Sequence, residues 1–215
     1  MQRKVGADHK IEPIPPAPSL MRNSPAWDAW CRDPRPANDN SPSNWPKVVA
    51  FTGPAGAGKS TAADYLVGLG YVRVKFAGPL KDMMRAIGLT EDHIEGVLKE
   101  LPTPLLAGKT PRWAMQTLGT EWGRDIIGSD FWTGLWHRTV SDVLDHGGRV
   151  VTDDCRFANE AKVVRGVGGH IVRLEGRGGI SGGHSSENQA FAADVVVKNA
   201  GQIVDLREQI RLALG

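Results

Sequence analysis

The chain has 215 residues, 40% of them hydrophobic, with 26 basic and 24 acidic side chains for a net charge of +2. That length fits one domain plus a tail, and the near balance of charge excludes a chain-wide basic footprint for nucleic acid. Two cysteines, Cys31 and Cys155, exclude a disulfide scaffold and a four-cysteine zinc site. No apolar run reaches the ~20 residues that span a bilayer, and no apolar stretch follows the basic start, so a cytoplasmic protein away from membranes is expected.

Nine of the 14 prolines lie in residues 1–46, a stretch without helical or strand periodicity. It reads as a Pro-rich flexible N-terminal tail, with Trp27, Trp30 and Trp45 available to dock on the domain or on a partner. Residues 47–215 then form one domain. Lys47–Thr52 is a short apolar run ending at a glycine loop, a buried strand. Ala62, Leu66 and Leu69 share a helical face. Tyr71–Phe76 alternates strictly, which predicts a half-exposed edge strand. Leu80, Met83, Met84 and Ile87 recur at helical spacing, as do Ile94, Val97 and Leu98. Thr110-Pro111 predicts an N-cap with proline in the first turn, and Gly119 a helix end. Ser129 is expected to cap a helix carrying Phe131, Leu135, Trp136, Val140, Val143 and Leu144. Strands follow at Val150–Asp153, Ile171–Leu174 and Val195–Val197, with helices at 158–166 and around Ile203, Leu206 and Ile210.

Five strands alternating with helices predict an α/β, three-layer architecture: a parallel sheet with helices on both faces. The gap between the second and third strands is too long for one crossover. Residues 77–147 are therefore read as a helical insertion that builds a site over the sheet.

Gly53-Pro-Ala-Gly-Ala-Gly-Lys-Ser60 fits G-x-x-x-x-G-K-[ST], the P-loop. Glycines let backbone N–H groups turn inward around a phosphate, and the following helix aims its positive end at the same anion. Gly53, Ala55, Gly56, Ala57, Gly58, Lys59, Ser60 and Thr61 are the candidate ATP-binding residues. Lys59 reaches the β- and γ-phosphates, and the Ser60 hydroxyl serves Mg²⁺. Val197-Lys198-Asn199-Ala200 does not match a guanine-reading N-K-x-D, and Asp145-His-Gly-Gly148 precedes a strand, so it reads as a turn. No basic run alternates with aromatics, so no nucleic-acid groove is expected.

A strand running into Asp153-Asp-Cys-Arg-Phe-Ala-Asn-Glu160 suits a metal-holding Walker B aspartate, with an arginine at the carboxyl edge of the sheet. Together with the P-loop, Lys75-Phe-Ala-Gly-Pro-Leu-Lys81, Gln116-Thr-Leu-Gly-Thr-Glu-Trp-Gly-Arg124, His184-Ser-Ser-Glu187 and Asp194-Val-Val-Val-Lys-Asn199, this string resembles the phage-type deoxynucleoside monophosphate kinases of the P-loop nucleoside monophosphate kinase group. The resemblance spans nearly all of residues 47–213. It implies a P-loop kinase domain over 47–215, sheet order 2-3-1-4-5, an acceptor-binding role for the insertion, and phosphoryl transfer from ATP, with Mg²⁺, to a deoxynucleoside monophosphate.

Catalysis of such a transfer is mainly positioning and charge neutralisation. Lys59, Arg156 and Asp154 are the candidate catalytic residues, with Arg156 the clamp on the acceptor or transition state. Asp154 aligns with the family aspartate and joins Ser60 as candidate metal ligand, although the doubled aspartate leaves open which carboxylate faces the site. Arg124 resembles the family's phosphate-binding arginine. Lys81, at a helix start, fits an acceptor anion. Trp132 is the candidate for stacking on the acceptor base. Residues 175–187 follow the fourth strand, where related kinases carry a lid. They read as a short lid-like loop with Arg177 as its phosphate contact and His184 and Glu187 either fixing the loop or touching nucleotide. Cys155 reads as a small buried side chain. The tryptophan-bearing insertion offers a surface for a homodimer. The residues alone leave two alternatives open: a kinase of another phosphorylated acceptor, of the phosphomevalonate or dephospho-coenzyme A kind, and a non-catalytic ATP-sensing module whose tail engages a partner.

Overall fold

The computed structural model describes residues 44–176 and 191–215. Five strands, β1 (Val48–Thr52), β2 (Tyr71–Arg73), β3 (Arg149–Thr152), β4 (His170–Glu175) and β5 (Val195–Lys198), form one sheet. Its order is β2-β3-β1-β4-β5 and every pairing is parallel, the expected 2-3-1-4-5 arrangement. The helices are α1 (Lys59–Gly68), α2 (Gly78–Ala86), α3 (Glu91–Ile94), α4 (Pro111–Thr117), α5 (Phe131–Asp145), α6 (Ala158–Gly166) and α7 (Ile203–Leu214). Two 3-10 turns, Val97–Glu100 and Pro104–Leu106, and a π-helical stretch, Leu118–Ile127, complete the insertion. No helix among the described residues is long and apolar enough to cross a membrane.

Strand β1 is buried along its whole length, because the sheet is covered on both faces and a central parallel strand has no solvent side. Alternate residues feed separate cores. Val49 and Phe51 pack with Leu66 of α1 and Leu206 and Ile210 of α7, whereas Val48 and Ala50 pack with Trp136 and Val140 of α5 and Val164 of α6. The insertion has a core of its own, made by Leu80, Met84, Leu89, Ile94, Met115 and Trp132.

Three boundaries move from their expected places. The domain begins before residue 47: Trp45 is 4% exposed and packs in the α1/α7 core. Its carbonyl accepts from Arg149 at 3.2 Å, the next carbonyl, Pro46, accepts from the Tyr71 hydroxyl at 2.6 Å, and Asn44 Nδ2 donates to the Gly215 carbonyl at 3.4 Å. The tail therefore gives up residues 44–46 to the fold. Gly119 does not close its helix. Thr110 caps α4 through its hydroxyl, as predicted, but the chain runs on as a wide π turn until Gly128, whose φ of 150° ends it. Ser129 does not cap α5; Asp130 precedes that helix without a side-chain cap bond. Strand β2 is an edge strand, as expected, and is shorter than its alternating pattern.

Candidate active site

The phosphate loop joins β1 to α1. Gly53, Gly56 and Gly58 have φ of 136°, 79° and 95°, a region that side-chain-bearing residues rarely adopt. At two of them space is also closed: a Cβ would lie 2.4 Å from the Leu174 carbonyl oxygen at Gly53 and 2.5 Å from Asn199 Nδ2 at Gly58. Asn199, buried at the end of β5, donates from Nδ2 to the Ala57 carbonyl at 2.9 Å, so the fifth strand pins the loop from behind. Lys59 Nζ donates to the Gly53 and Pro54 carbonyls at 2.7 Å each, which folds the ammonium over the loop. Helix α1 has no acidic residue in its first turn and no side-chain cap. Its positive end is left to an anion. Ser60 and Thr61 sit in that first turn, Ser60 exposed.

At the carboxyl edge the two aspartates separate. Asp154 Oδ1 accepts from the Phe76 N–H at 3.0 Å and from the Thr152 hydroxyl at 2.8 Å, and its Oδ2 accepts from the Ala77 N–H at 3.0 Å. Both oxygens are committed to tying β3 to the turn that enters α2. Asp153 is the opposite case. Its side chain is 2% exposed, its Oδ1 lies 3.6 Å from Lys75 Nζ, and neither oxygen has a hydrogen-bond partner among the described residues. The Thr52 hydroxyl, one strand away at the entry to the phosphate loop, is likewise buried and unpartnered. Such orphans at a sheet edge mark a place for a water or an ion. Of the pair that the sequence left unresolved, Asp154 is thus held by three hydrogen bonds and Asp153 by none.

Beyond this edge lies a cationic cluster. Lys75 follows β2, Lys81 is on α2 and Lys99 is on the first 3-10 turn, and all three reach Glu95. Lys81 hydrogen-bonds Glu95 Oε1, Lys75 Nζ is 4.0 Å from the same oxygen, and Lys99 Nζ is 4.0 Å from Oε2. Burial works against the Glu95 carboxylate, yet the Lys81 hydrogen bond and the attraction of the three lysines hold it below its ordinary range. Burial, then repulsion from Lys81, Arg112 and Arg156, holds the Lys99 ammonium down despite Glu95. Arg156 is exposed and has no ion pair among the described residues.

Arg124 leaves the π turn and is not solvated. Its Nη2 is 2.7 Å from Glu160 Oε1, its Nη1 donates to Asn159 Oδ1 at 3.4 Å, and its guanidinium lies 3.9 Å from the Phe157 ring centre. Glu160 Oε2 accepts the N–H groups of Arg156 at 2.7 Å and Phe157 at 3.0 Å. Burial, aided by the Asp154 charge, pushes the Glu160 carboxyl up to about 7, against the pull of those N–H groups and of Arg124. Trp132 stacks on no open surface. It is 3% exposed, donates from Nε1 to the Gly119 carbonyl at 2.8 Å, and lies flat on Gly123, where a Cβ would sit 2.4 Å from its Nε1. The tight string Gly119–Arg124 is therefore shaped by Trp132: Gly123 makes room for the indole, the Gly119 carbonyl accepts its N–H, and the arginine that follows is delivered to Glu160. Cys155 is fully buried, and burial raises its thiol pKa.

A protein of Acanthamoeba polyphaga mimivirus, provisionally named a deoxynucleotide monophosphate kinase, is 32% identical over 182 residues, 76% of this chain and 93% of the relative. The chain belongs to that family. No family model matches it. Among solved structures, similar chains include the Mycobacterium tuberculosis APS kinase, with 13% identity, 79% of this chain and 96% of that chain covered and a TM-score of 0.41. The Campylobacter jejuni dephospho-CoA kinase, with 14% identity and coverage of 78% and 95%, has a TM-score of 0.39.

In this P-loop kinase the sequence-predicted residues fall into four groups. Gly53 to Thr61 form the phosphate loop, and Lys81 and Arg156 lie on the cationic side. Asp154, Arg124 and Trp132 are held by other side chains or by the backbone. Arg177, His184 and Glu187 lie outside the described residues, as do residues 1–43 of the tail. The sequence reading missed Lys75, Glu95, Lys99, Glu160 and Asn199, and left Asp153 undecided beside Asp154. Lys75, Glu160 and Asn199 stood within the family-like strings; Glu95 and Lys99 carried no signal.

Proposed function

We propose that the chain transfers the γ-phosphoryl group of ATP to a deoxynucleoside monophosphate, giving ADP and a deoxynucleoside diphosphate. The observation that carries this reading is the arrangement of one sheet edge: a phosphate loop over β1 and a lysine-rich anion site beside β2 and β3, with the buried Asp153 between them. The family relationship supports it. An acceptor phosphate oxygen attacks the γ-phosphorus while the bond to the β,γ-bridging oxygen breaks, and the electron pair leaves with ADP. Lys59 and the loop N–H groups hold the β- and γ-phosphates. Arg156, exposed and without an ion pair among the described residues, is free to swing onto the transferring group, and Lys75, Lys81 and Lys99 neutralise the acceptor dianion. Arg124 acts at one remove, through its grip on Glu160 and the Arg156 backbone.

The residues fit magnesium. The Ser60 hydroxyl, with the Asp153 carboxylate and Thr52 hydroxyl that make no hydrogen bond among the described residues, is a hard oxygen set of the kind this ion takes, directly or through water. When bound, the ion would offset charge on the β- and γ-phosphates.

The test is ADP release with a panel of deoxy- and ribonucleoside monophosphates, phosphomevalonate and dephospho-coenzyme A as acceptors. Turnover is expected only with nucleoside monophosphates. Lys59→Ala should abolish it in a folded chain, and Arg156→Ala should lower kcat by on the order of 10³-fold. ATP consumption at the same rate without any acceptor would overturn the proposal.

A further inference from the structure

We infer that Glu95 occupies the seat of the acceptor's phosphate, and that substrate binding displaces it. The inference rests on the reading above only in that the acceptor bears a phosphate. Its basis is stoichiometry. The neighbouring ion pairs are ordinary: Arg85 with Glu91 and Arg112 with Glu100 join exposed partners, one cation to a carboxylate. At Glu95, three ammonium groups from three separate elements meet one carboxylate, and each lysine side chain is largely covered, at 28%, 15% and 24% exposure. Bringing three partly desolvated cations together is unfavourable unless an anion lies among them. A single carboxylate, with one charge and two oxygens, under-fills that site. A phosphate monoester brings up to two charges and three terminal oxygens, one for each ammonium.

Glu95 is also the partner best able to leave. Its side chain is 45% exposed, and it follows the last turn of a four-residue helix, α3, whose backbone bonds do not involve the carboxylate. Swinging it into water gives up its three lysine partners, which the incoming phosphate replaces. The seat is placed for chemistry, because Lys75 also reaches Asp153 at 3.6 Å, on the carboxyl edge shared with the phosphate loop. In this arrangement Glu95 keeps the lysines gathered before substrate arrives and competes with weakly charged anions, so that a dianion is favoured over a monoanion.

The test fills the phosphate loop first. The full chain is saturated with magnesium and the β,γ-imido analogue of ATP, then titrated with inorganic phosphate by calorimetry. Glu95→Gln should tighten phosphate binding by about tenfold, by removing the competing carboxylate. In a Lys81→Gln background the same substitution should gain less than about threefold, because the seat it vacates has lost its strongest holder. Thermal melts of each variant confirm folding. Unchanged or weaker phosphate binding in Glu95→Gln, no phosphate binding by either form, or a full gain in the Lys81→Gln background would each overturn the inference. The acceptor panel is a separate readout: turnover of nucleoside monophosphates with no change in phosphate affinity defeats this inference alone. A tightened phosphate site with no nucleotide turnover defeats the proposed function alone.

Discussion

Asp154→Asn and Asp153→Asn differ by one position and should behave oppositely. The Asp154 carboxylate accepts two backbone N–H groups and one hydroxyl. Asparagine keeps one acceptor oxygen and turns an NH₂ toward a second donor. The loss is one charge-assisted hydrogen bond plus one N–H left unsatisfied, about 2–4 kcal/mol together. For a chain of this size that lowers Tm by roughly 5–12 °C. Asp153→Asn breaks no hydrogen bond among the described residues and loosens only the 3.6 Å ion pair with the part-exposed Lys75. It removes a buried charge from beside the phosphate loop, so Tm should hold within about 2 °C. Its kcat should fall by on the order of 10²-fold or more, the usual cost of deleting one preorganised electrostatic group. Thermal melts followed by ADP release on the same samples separate the two. A folded, inactive Asp154→Asn beside a destabilised, active Asp153→Asn would refute the assignment of clamp and site.

Gly58→Ala places a side chain at φ 95° and against Asn199 Nδ2, so it should break the Asn199 bond to Ala57 and weaken ATP binding at least tenfold in a nucleotide titration. Trp132→Phe should lower Tm by a few degrees through loss of the hydrogen bond to Gly119, with little change in acceptor KM; a raised KM at constant Tm would restore a base-stacking role. For Glu160 the folded value, about 7, stands above the ordinary 4.5. Between those values the folded chain holds a proton that the unfolded chain has released. This group's contribution to stability therefore falls as pH rises through that window and levels off above it. Urea midpoints of wild type and Glu160→Gln, taken at steps across the window, should diverge with that slope, and parallel curves would contradict it.

Most of the fold was legible because it is periodic. Buried runs at β1, β3 and β4, broken by turn-forming glycines, force a two-sided parallel sheet, and the P-loop names its own position. The facing of Asp153 and Asp154 was not legible, because the alternation of a strand stops where the strand stops. Here the chain leaves β3 between Thr152 and Asp153, so period two no longer decides which residue points inward. Trp132 shows a different limit: an indole beside a helix start offered itself for stacking, and nothing local showed that Gly123 had cleared a slot for it. Gly119 itself looked like a stop signal when its role was to offer a carbonyl. Glu95 and its lysines are spread over 25 residues with no common period, and only tertiary turns collect them. Trp45 owed its place to the far end of the chain, a partner no local pattern reveals.

The docking of Asn44 and Trp45 against Gly215 also marks one side of the domain. Both lie at the amino-terminal edge of the sheet, where β1 begins, while the phosphate loop opens where β1 ends. Residue 44 thus sits at the rear of the enzyme, the length of a strand away from the phosphate loop, some 17 Å at the usual rise per residue. A fusion partner, affinity handle or immobilising surface attached on that side should leave turnover undisturbed. The back of the molecule is then the natural place to tether it while substrates enter and leave by the front.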